Sequence, residues 1–151
     1  MDKNKLISDL SSEFSIDSKG YFITLNAFKN DVIQFEQDLS KIAHKLNDFC
    51  YSRAYKRKEK RLKIIAAIET GKVDGMLHAH LIVALQDETD RTLPEMNSYV
   101  RKHWYKTIGF FDHFGTMVDV QDIGEAAGRI AYIVKDTNYL LRNDNLNIVM
   151  L

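Results

Sequence analysis

Two apolar runs joined by a short turn-forming segment limit what this chain can fold into more than any other feature. "RLKIIAAIE" (residues 61–69) and "MLHAHLIVAL" (residues 76–85) are rich in aliphatic residues, and "GKVDG" between them has the length and composition of a hairpin loop. Two such strands pair antiparallel. Successive side chains of a strand point to opposite faces, so Leu77, Ala79, Leu81, Val83 and Leu85 share one face, while His78 and His80 share the other. In the partner run, Ile64, Ala66 and Ile68 lie on one side and Lys63, Ile65, Ala67 and Glu69 on the other. With Glu69 on the histidine side, two imidazoles and a carboxylate meet across the hairpin. That donor set suits a metal ion and leaves positions for substrate oxygens and water.

The remaining elements follow from the same kind of pattern. "GYFITLNAF" predicts a strand over 21–28. Asn30 or Asp31 can cap a helix with apolar positions Val32, Phe35, Leu39, Ile42, Leu46 and Phe49, running to about Cys50. Thr92, Pro94 and Glu95 form a capping box with proline in the first turn, opening a helix to about Thr107. "GTMVDVQDI" predicts a strand over 116–120. Asp122 and Glu125 then resemble the capped start of a third helix that reaches about Asp136, with Ile123, Ala127, Ile130 and Val134 as its buried stripe. The order β-α-β-β-α-β-α predicts the α+β class: a ferredoxin-like or RRM-like antiparallel sheet, with helices on one face and the active site on the open face. At 151 residues the chain reads as a single domain, with residues 1–19 as an N-terminal extension.

Composition bounds the setting. Hydrophobic residues at 45% and charged residues at 28% fit a soluble globular protein rather than a disordered one. No apolar run approaches the ~20 residues of a membrane span, and the first residues lack a signal-peptide core, so a cytoplasmic protein without a membrane partner is expected. The sequence does not disclose the oligomeric state, and a monomer is the working expectation. Cys50 stands alone, which excludes an internal disulfide and a zinc ribbon. The zero net charge conceals a strip. "RAYKRKEKRLK" holds Arg53, Lys56, Arg57, Lys58, Lys60, Arg61 and Lys63 against Glu59 alone, leaving 21 − 7 = 14 basic and 21 − 1 = 20 acidic residues elsewhere. With Tyr51 and Tyr55 beside it, this strip suits a phosphate backbone, or equally a solvated helix end and loop. In "RKHWYKTIGFFDHF", Arg101, Lys102 and Lys106 accompany Trp104, Tyr105, Phe110, Phe111 and Phe114. Met96, Val100 and Trp104 repeat every four residues and belong to the core, leaving one or two of these aromatics for base stacking.

Histidine spacing alone does not decide the chemistry. H-x-H also occurs in zinc enzymes and in all-β metal barrels, against which the helices count. His44, His103 and His113 read as structural. In "EAAGRIAYIVKDT", Tyr132 and Lys135 lie together off the buried stripe, and Gly128, one turn earlier, leaves space above the tyrosine ring. Taken alone, such a pair is ordinary amphipathic packing.

Together, "FITLN", "HAH" and "YIVK" resemble, in the same order along the chain, the three motifs of the HUH endonuclease superfamily. The likeness is closest to the replication initiators of rolling-circle plasmids and of single-stranded or filamentous phages. It spans residues 21–135, with "FITLN" contributing mainly its position. The resemblance implies that His78 and His80 bind Mg²⁺ or Mn²⁺, with Glu69 as a third ligand whose family counterpart varies. It implies that Tyr132 attacks a scissile phosphate, leaving a 5′-phosphotyrosine and a free 3′-hydroxyl, and that Lys135 orients the tyrosine or neutralises phosphate charge. The seven cations of the basic strip, with Arg129, would bind single-stranded DNA at a replication origin, where a helicase and a polymerase are partners. "TGKVDG" lacks the glycine spacing of a P-loop, consistent with a reaction that needs no nucleotide.

Tyr139 followed by Arg142 echoes the tyrosine motif, but "DTN" interrupts the helix pattern, so one nucleophile is expected. Two other readings stay open. One is a single-strand transposase or relaxase of the same superfamily, whose glutamine or third-histidine patterns are not obvious here. The other is a non-catalytic single-stranded nucleic-acid-binding module, which predicts aromatics on the open strands where this chain carries His78, His80, Thr24 and Asn26.

Overall fold

The computed structural model describes residues 3–12, 19–27, 30–70, 75–109, 118–136 and 148–151. The elements in chain order are α1 (Lys3–Ser12), β1 (Lys19–Asn26), α2 (Val32–Tyr51), α3 (Arg53–Lys56), β2 (Leu62–Thr70), β3 (Leu77–Leu85), α4 (Leu93–Ile108), β4 (Val118–Asp122), α5 (Ala126–Asp136) and β5 (Ile148–Met150). The strands form one antiparallel sheet in the order β4-β1-β3-β2-β5. The two longest apolar runs, β2 and β3, pair along their whole length, from Leu62 opposite Leu85 to Thr70 opposite Leu77. Residues 71–74 of the hairpin loop, Phe28 and Thr116 lie outside the described residues.

Local signals account for the helix starts. Asp31 caps α2, its carboxylate accepting from the Gln34 backbone N–H. Thr92 and Glu95 form a complete capping box at α4 with Pro94 in the first turn, and left-handed Gly109 ends that helix at φ +67°. Asp122 instead accepts from the Gly124 N–H in a tight turn at the end of β4, so α5 starts four residues later.

α2 and α4 cover one face of the sheet. Their buried residues Phe35, Leu39, Ile42, Leu46, Met96, Val100 and Trp104 pack on Ile23, Leu25, Ile64, Ala66, Ile68, Ala79, Leu81 and Val83. Asn47 ties α2 to β2 within this layer: its Oδ1 accepts from the Leu62 N–H at 2.6 Å while its Nδ2 donates to the Ala43 carbonyl. Leaving that buried donor unpaired would cost about 1–3 kcal/mol. The Trp104 indole donates to the Asn26 carbonyl, fixing the end of β1.

Helices cover both faces of the sheet, not one as expected. Phe22, Ile65, Ala67, Ile82 and Ala84 face away from α2 and α4 and are buried by Leu10 of α1, by Ile123, and by Ile130 and Ile133 of α5. The physical reason is that β2 and β3 are apolar on both faces and cannot leave the second face in water. Residues 3–12, expected as part of an extension, form α1 and pack against α5. No helix among the described residues is long and apolar enough to cross a membrane.

Candidate active site

The site is assembled by strand register. Glu69 of β2 stands directly opposite His78 of β3, and His80 stands opposite Thr24 of β1 on its other side. Alternation sends all four side chains to the face carrying α5. His78 Nε2 lies 2.8 Å from Glu69 Oε2 and His80 Nε2 lies 3.7 Å from the same oxygen. The ligand atoms of Glu69, His78 and His80 all fall within 4.8 Å of one another, so the three can hold a metal ion.

Their surroundings fit that role. Glu69 and His80 are each only 8% exposed. Glu69 Oε1 is buried with no hydrogen-bond partner among the described residues, which is unfavourable for a carboxylate oxygen unless a cation faces it. Thr24 Oγ1 lies 3.0 Å from His80 Nδ1. With Nε2 serving as ligand, Nδ1 carries the proton and donates it to Thr24, which fixes both tautomer and ring orientation. Phe22 stacks on the other side of the imidazole, with ring centroids 5.6 Å apart and planes 7° from parallel.

α5 brings Tyr132 to this cluster. Its ring lies 5.8 Å from that of His80, edge to face, and 6.2 Å from that of Phe22. Tyr132 is 49% exposed, so its ring borders the triad on one side and meets solvent on the other. Nothing occupies the space within 4 Å of a Cβ built on Gly128, in keeping with the room expected there. Lys135 lies in α5 with its side chain outside the described part, and Tyr139 and Arg142 lie outside the described residues.

Arg129 is engaged within the protein. Its guanidinium sits 4.4 Å from the Phe22 ring centroid, Nε donates to the Ile123 carbonyl, and Nη2 donates to Gln121 Oε1. The seven cations of the basic strip lie away from the triad: Arg53 and Lys56 in α3, Arg57, Lys58, Lys60 and Arg61 in the following turn, and Lys63 early in β2. Glu69 is near the other end of that strand.

The remaining sequence candidates also have places. Met96, Val100 and Trp104 are fully buried, as their spacing predicts. Tyr105 accepts from Arg101, and Phe110, Phe111, His113 and Phe114 lie outside the described residues. His44 pairs with the Tyr55 hydroxyl at 2.9 Å. His103 lies against Tyr99 with the two rings tilted by 42°; burial, and then Lys45, Lys102 and Lys106, hold its pKa below the ordinary value. Burial raises the Cys50 thiol, which makes it a poor nucleophile.

Sequence reasoning had Thr24 on the histidine face but not as the partner of His80, and it missed Phe22. The signal was available: once β1 pairs with β3, the parity that exposes His80 to one neighbour exposes it to Thr24 as well. Comparison of the chain with protein-family models, curated proteins and solved structures gives no match.

Proposed function

We propose that this protein nicks and rejoins single-stranded DNA by transesterification, with Tyr132 as the nucleophile and His78, His80 and Glu69 as ligands of a divalent ion, Mg²⁺ or Mn²⁺. The observation that carries this reading is the placement of a half-exposed phenol against a His-His-Glu cluster in which Glu69 and His80 are buried and His78 is partly buried. The strand order β4-β1-β3-β2 supports it as well, because that is the order of a ferredoxin-like split β-α-β sheet, extended here by β5.

The chemistry conserves bonds. The Tyr132 oxygen attacks the phosphorus, the bond to the 3′-oxygen breaks, and that oxygen takes up a proton to become a 3′-hydroxyl as the phenol loses one. Glu69, His78 and His80 would hold the divalent ion, which when bound would supply Lewis-acid stabilisation of developing phosphate charge. His80 borders the attacking ring, Thr24 holds His80 in register, and Lys135 follows Tyr132 on the same helix to orient it or to neutralise phosphate charge. Since one phosphodiester replaces another, the 3′-hydroxyl can reverse the step and reseal the strand without a nucleotide. Such chemistry suits an initiator of rolling-circle replication in the cytoplasm. A helicase would supply unwinding and a polymerase extension.

A non-catalytic single-strand binding module is disfavoured by a particular observation. Such modules stack bases on exposed aromatics of an open sheet. Here the corresponding face is covered by α5, and its aromatic, Phe22, is buried.

The test uses labelled single-stranded oligonucleotides from the surrounding replicon, incubated with the protein and Mn²⁺ and resolved on denaturing gels and by mass spectrometry. A covalent adduct on Tyr132 that disappears with Tyr132→Phe and with chelator is expected. An adduct that survives Tyr132→Phe would remove the assignment, and binding without any adduct would favour the recognition module.

A further inference from the structure

The basic strip, which the nicking chemistry does not use, is a built feature. α3 is a single turn, and the chain then reverses through bonds from the Lys58 N–H to the Tyr55 carbonyl and from the Glu59 and Lys60 N–H groups to the Ala54 carbonyl. Lys58 itself sits in the left-handed region at φ +61°, an uncommon conformation for a residue with a side chain. The result is a hydrogen-bonded turn on which Lys56, Lys58, Lys60 and Arg61, together with the His44 and Tyr55 rings, line one cleft of about 630 Å³.

Charge and wall chemistry define what the cleft accepts. Four cations share it, against an exposed Glu59 in the same turn and an Asp48 carboxylate 3.8 Å from Lys56 Nζ. Like charges lining one cleft repel one another unless a polyanion lies among them, and salt screens that repulsion. Flexible lysines suit phosphates better than base edges. The ring pair on the wall is bound to itself through His44 Nδ1 and the Tyr55 hydroxyl, and Tyr55 packs on the core, so it is not a free platform for stacking unpaired bases.

We propose that this cleft binds the phosphodiester backbone of duplex DNA flanking the strand that reaches Tyr132. The placement rests on the nicking reading, whereas the cleft itself does not. From Leu62, just after the cleft, to Glu69 is seven residues of strand, about 23 Å at ~3.3 Å per residue. Because α2 and the triad lie on opposite faces of the sheet, the DNA path is longer than this. Roughly seven base pairs at 3.4 Å each is therefore a lower bound on the stem needed to touch both sites.

The experiment measures fluorescence anisotropy of the Tyr132→Phe protein, without divalent ion, on a labelled hairpin with a stem of about 15 base pairs and on the same strand with its stem removed, across a salt series. The triple variant Lys58→Ala, Lys60→Ala, Arg61→Ala is expected to weaken hairpin binding at least about tenfold and to lower the salt slope by about 2–3, roughly 0.9 for each phosphate that the protein ceases to neutralise. Its effect on the single strand is expected to be smaller. The pair Arg53→Ala and Arg57→Ala, cations outside the cleft, should change the hairpin slope less than the triple does. An unchanged slope in the triple variant, equal losses on hairpin and single strand, or an equal effect of the outside pair would each overturn the proposal. Binding is read here without nicking, so absence of a covalent adduct in the nicking assay would count against the nucleophile and not against the cleft.

Discussion

At the scale of single residues, what holds Glu69, His78 and His80 in place matters as much as those side chains themselves. His80 is gripped on three sides, by Thr24 at Nδ1, by Phe22 on its face and by the Tyr132 ring edge-on. Thr24→Val keeps the volume and the β-branched shape that suits a strand but removes the hydroxyl. The expected outcome is a loss of about 10–100-fold in Mn²⁺ affinity with little change in thermal unfolding, as for other outer partners of metal-bound histidines. Calorimetric titration with Mn²⁺ checks this. An unchanged affinity would mean that the Thr24 hydroxyl has no part in presenting His80.

At the scale of elements, the question is what sets α5 at the right height over the sheet. Arg129 lies one turn before Tyr132 and bonds the Ile123 carbonyl and Gln121 while lying over Phe22, the same ring that stacks on His80. It thereby clamps the helix that carries Tyr132 to β1 and to the end of β4. We expect Arg129→Met to slow single-turnover adduct formation at saturating DNA by about 10–100-fold, because small displacements of a reacting group carry penalties of that order. Mn²⁺ affinity should hardly move. Weaker DNA binding with an unchanged rate at saturation would instead make Arg129 the DNA contact expected of it from the sequence. Much at this scale was legible in advance. The hairpin, both capped helices and the meeting of Glu69 with the histidines follow from alternation, capping residues and a short loop, all of which are local. α1 and β5 were not. Ile7 and Leu10 make a short apolar stripe whose partner helix is more than a hundred residues away, and Ile148–Met150 is a three-residue strand defined only by its pairing with β2. The second covered face left a readable mark all the same: "KIIAAI" and "LIVAL" are apolar without alternation, the signature of strands buried on both sides.

At the scale of the whole molecule, titratable groups shifted by burial make stability depend on pH at both ends of the range. Burial, chiefly, raises Tyr51 to about 12 from 10.0, and its hydroxyl donates to the Asp87 carbonyl at 2.7 Å, joining the end of α2 to the segment after β3. The folded protein therefore favours the neutral phenol. This contribution is fully present below the unfolded value of 10.0 and is lost as pH rises from there through about 12. Tyr21 and Tyr99 shift in the same direction, also through burial first. His103 works at the other end. Its lowered value means that the folded state resists protonation, so stability is present above the ordinary 6.5 and falls as pH drops below it and the unfolded chain takes up the proton first. A plateau bounded by these two limbs is expected in urea unfolding midpoints followed by circular dichroism. His103→Gln should shallow the acid limb just below 6.5. Tyr51→Phe should lower stability on the plateau by about 1 kcal/mol through the lost hydrogen bond, and should shallow the alkaline limb without abolishing it, since Tyr21 and Tyr99 remain. An alkaline limb of unchanged steepness in Tyr51→Phe would show that the joint between α2 and the segment after β3 is not what opens first at high pH.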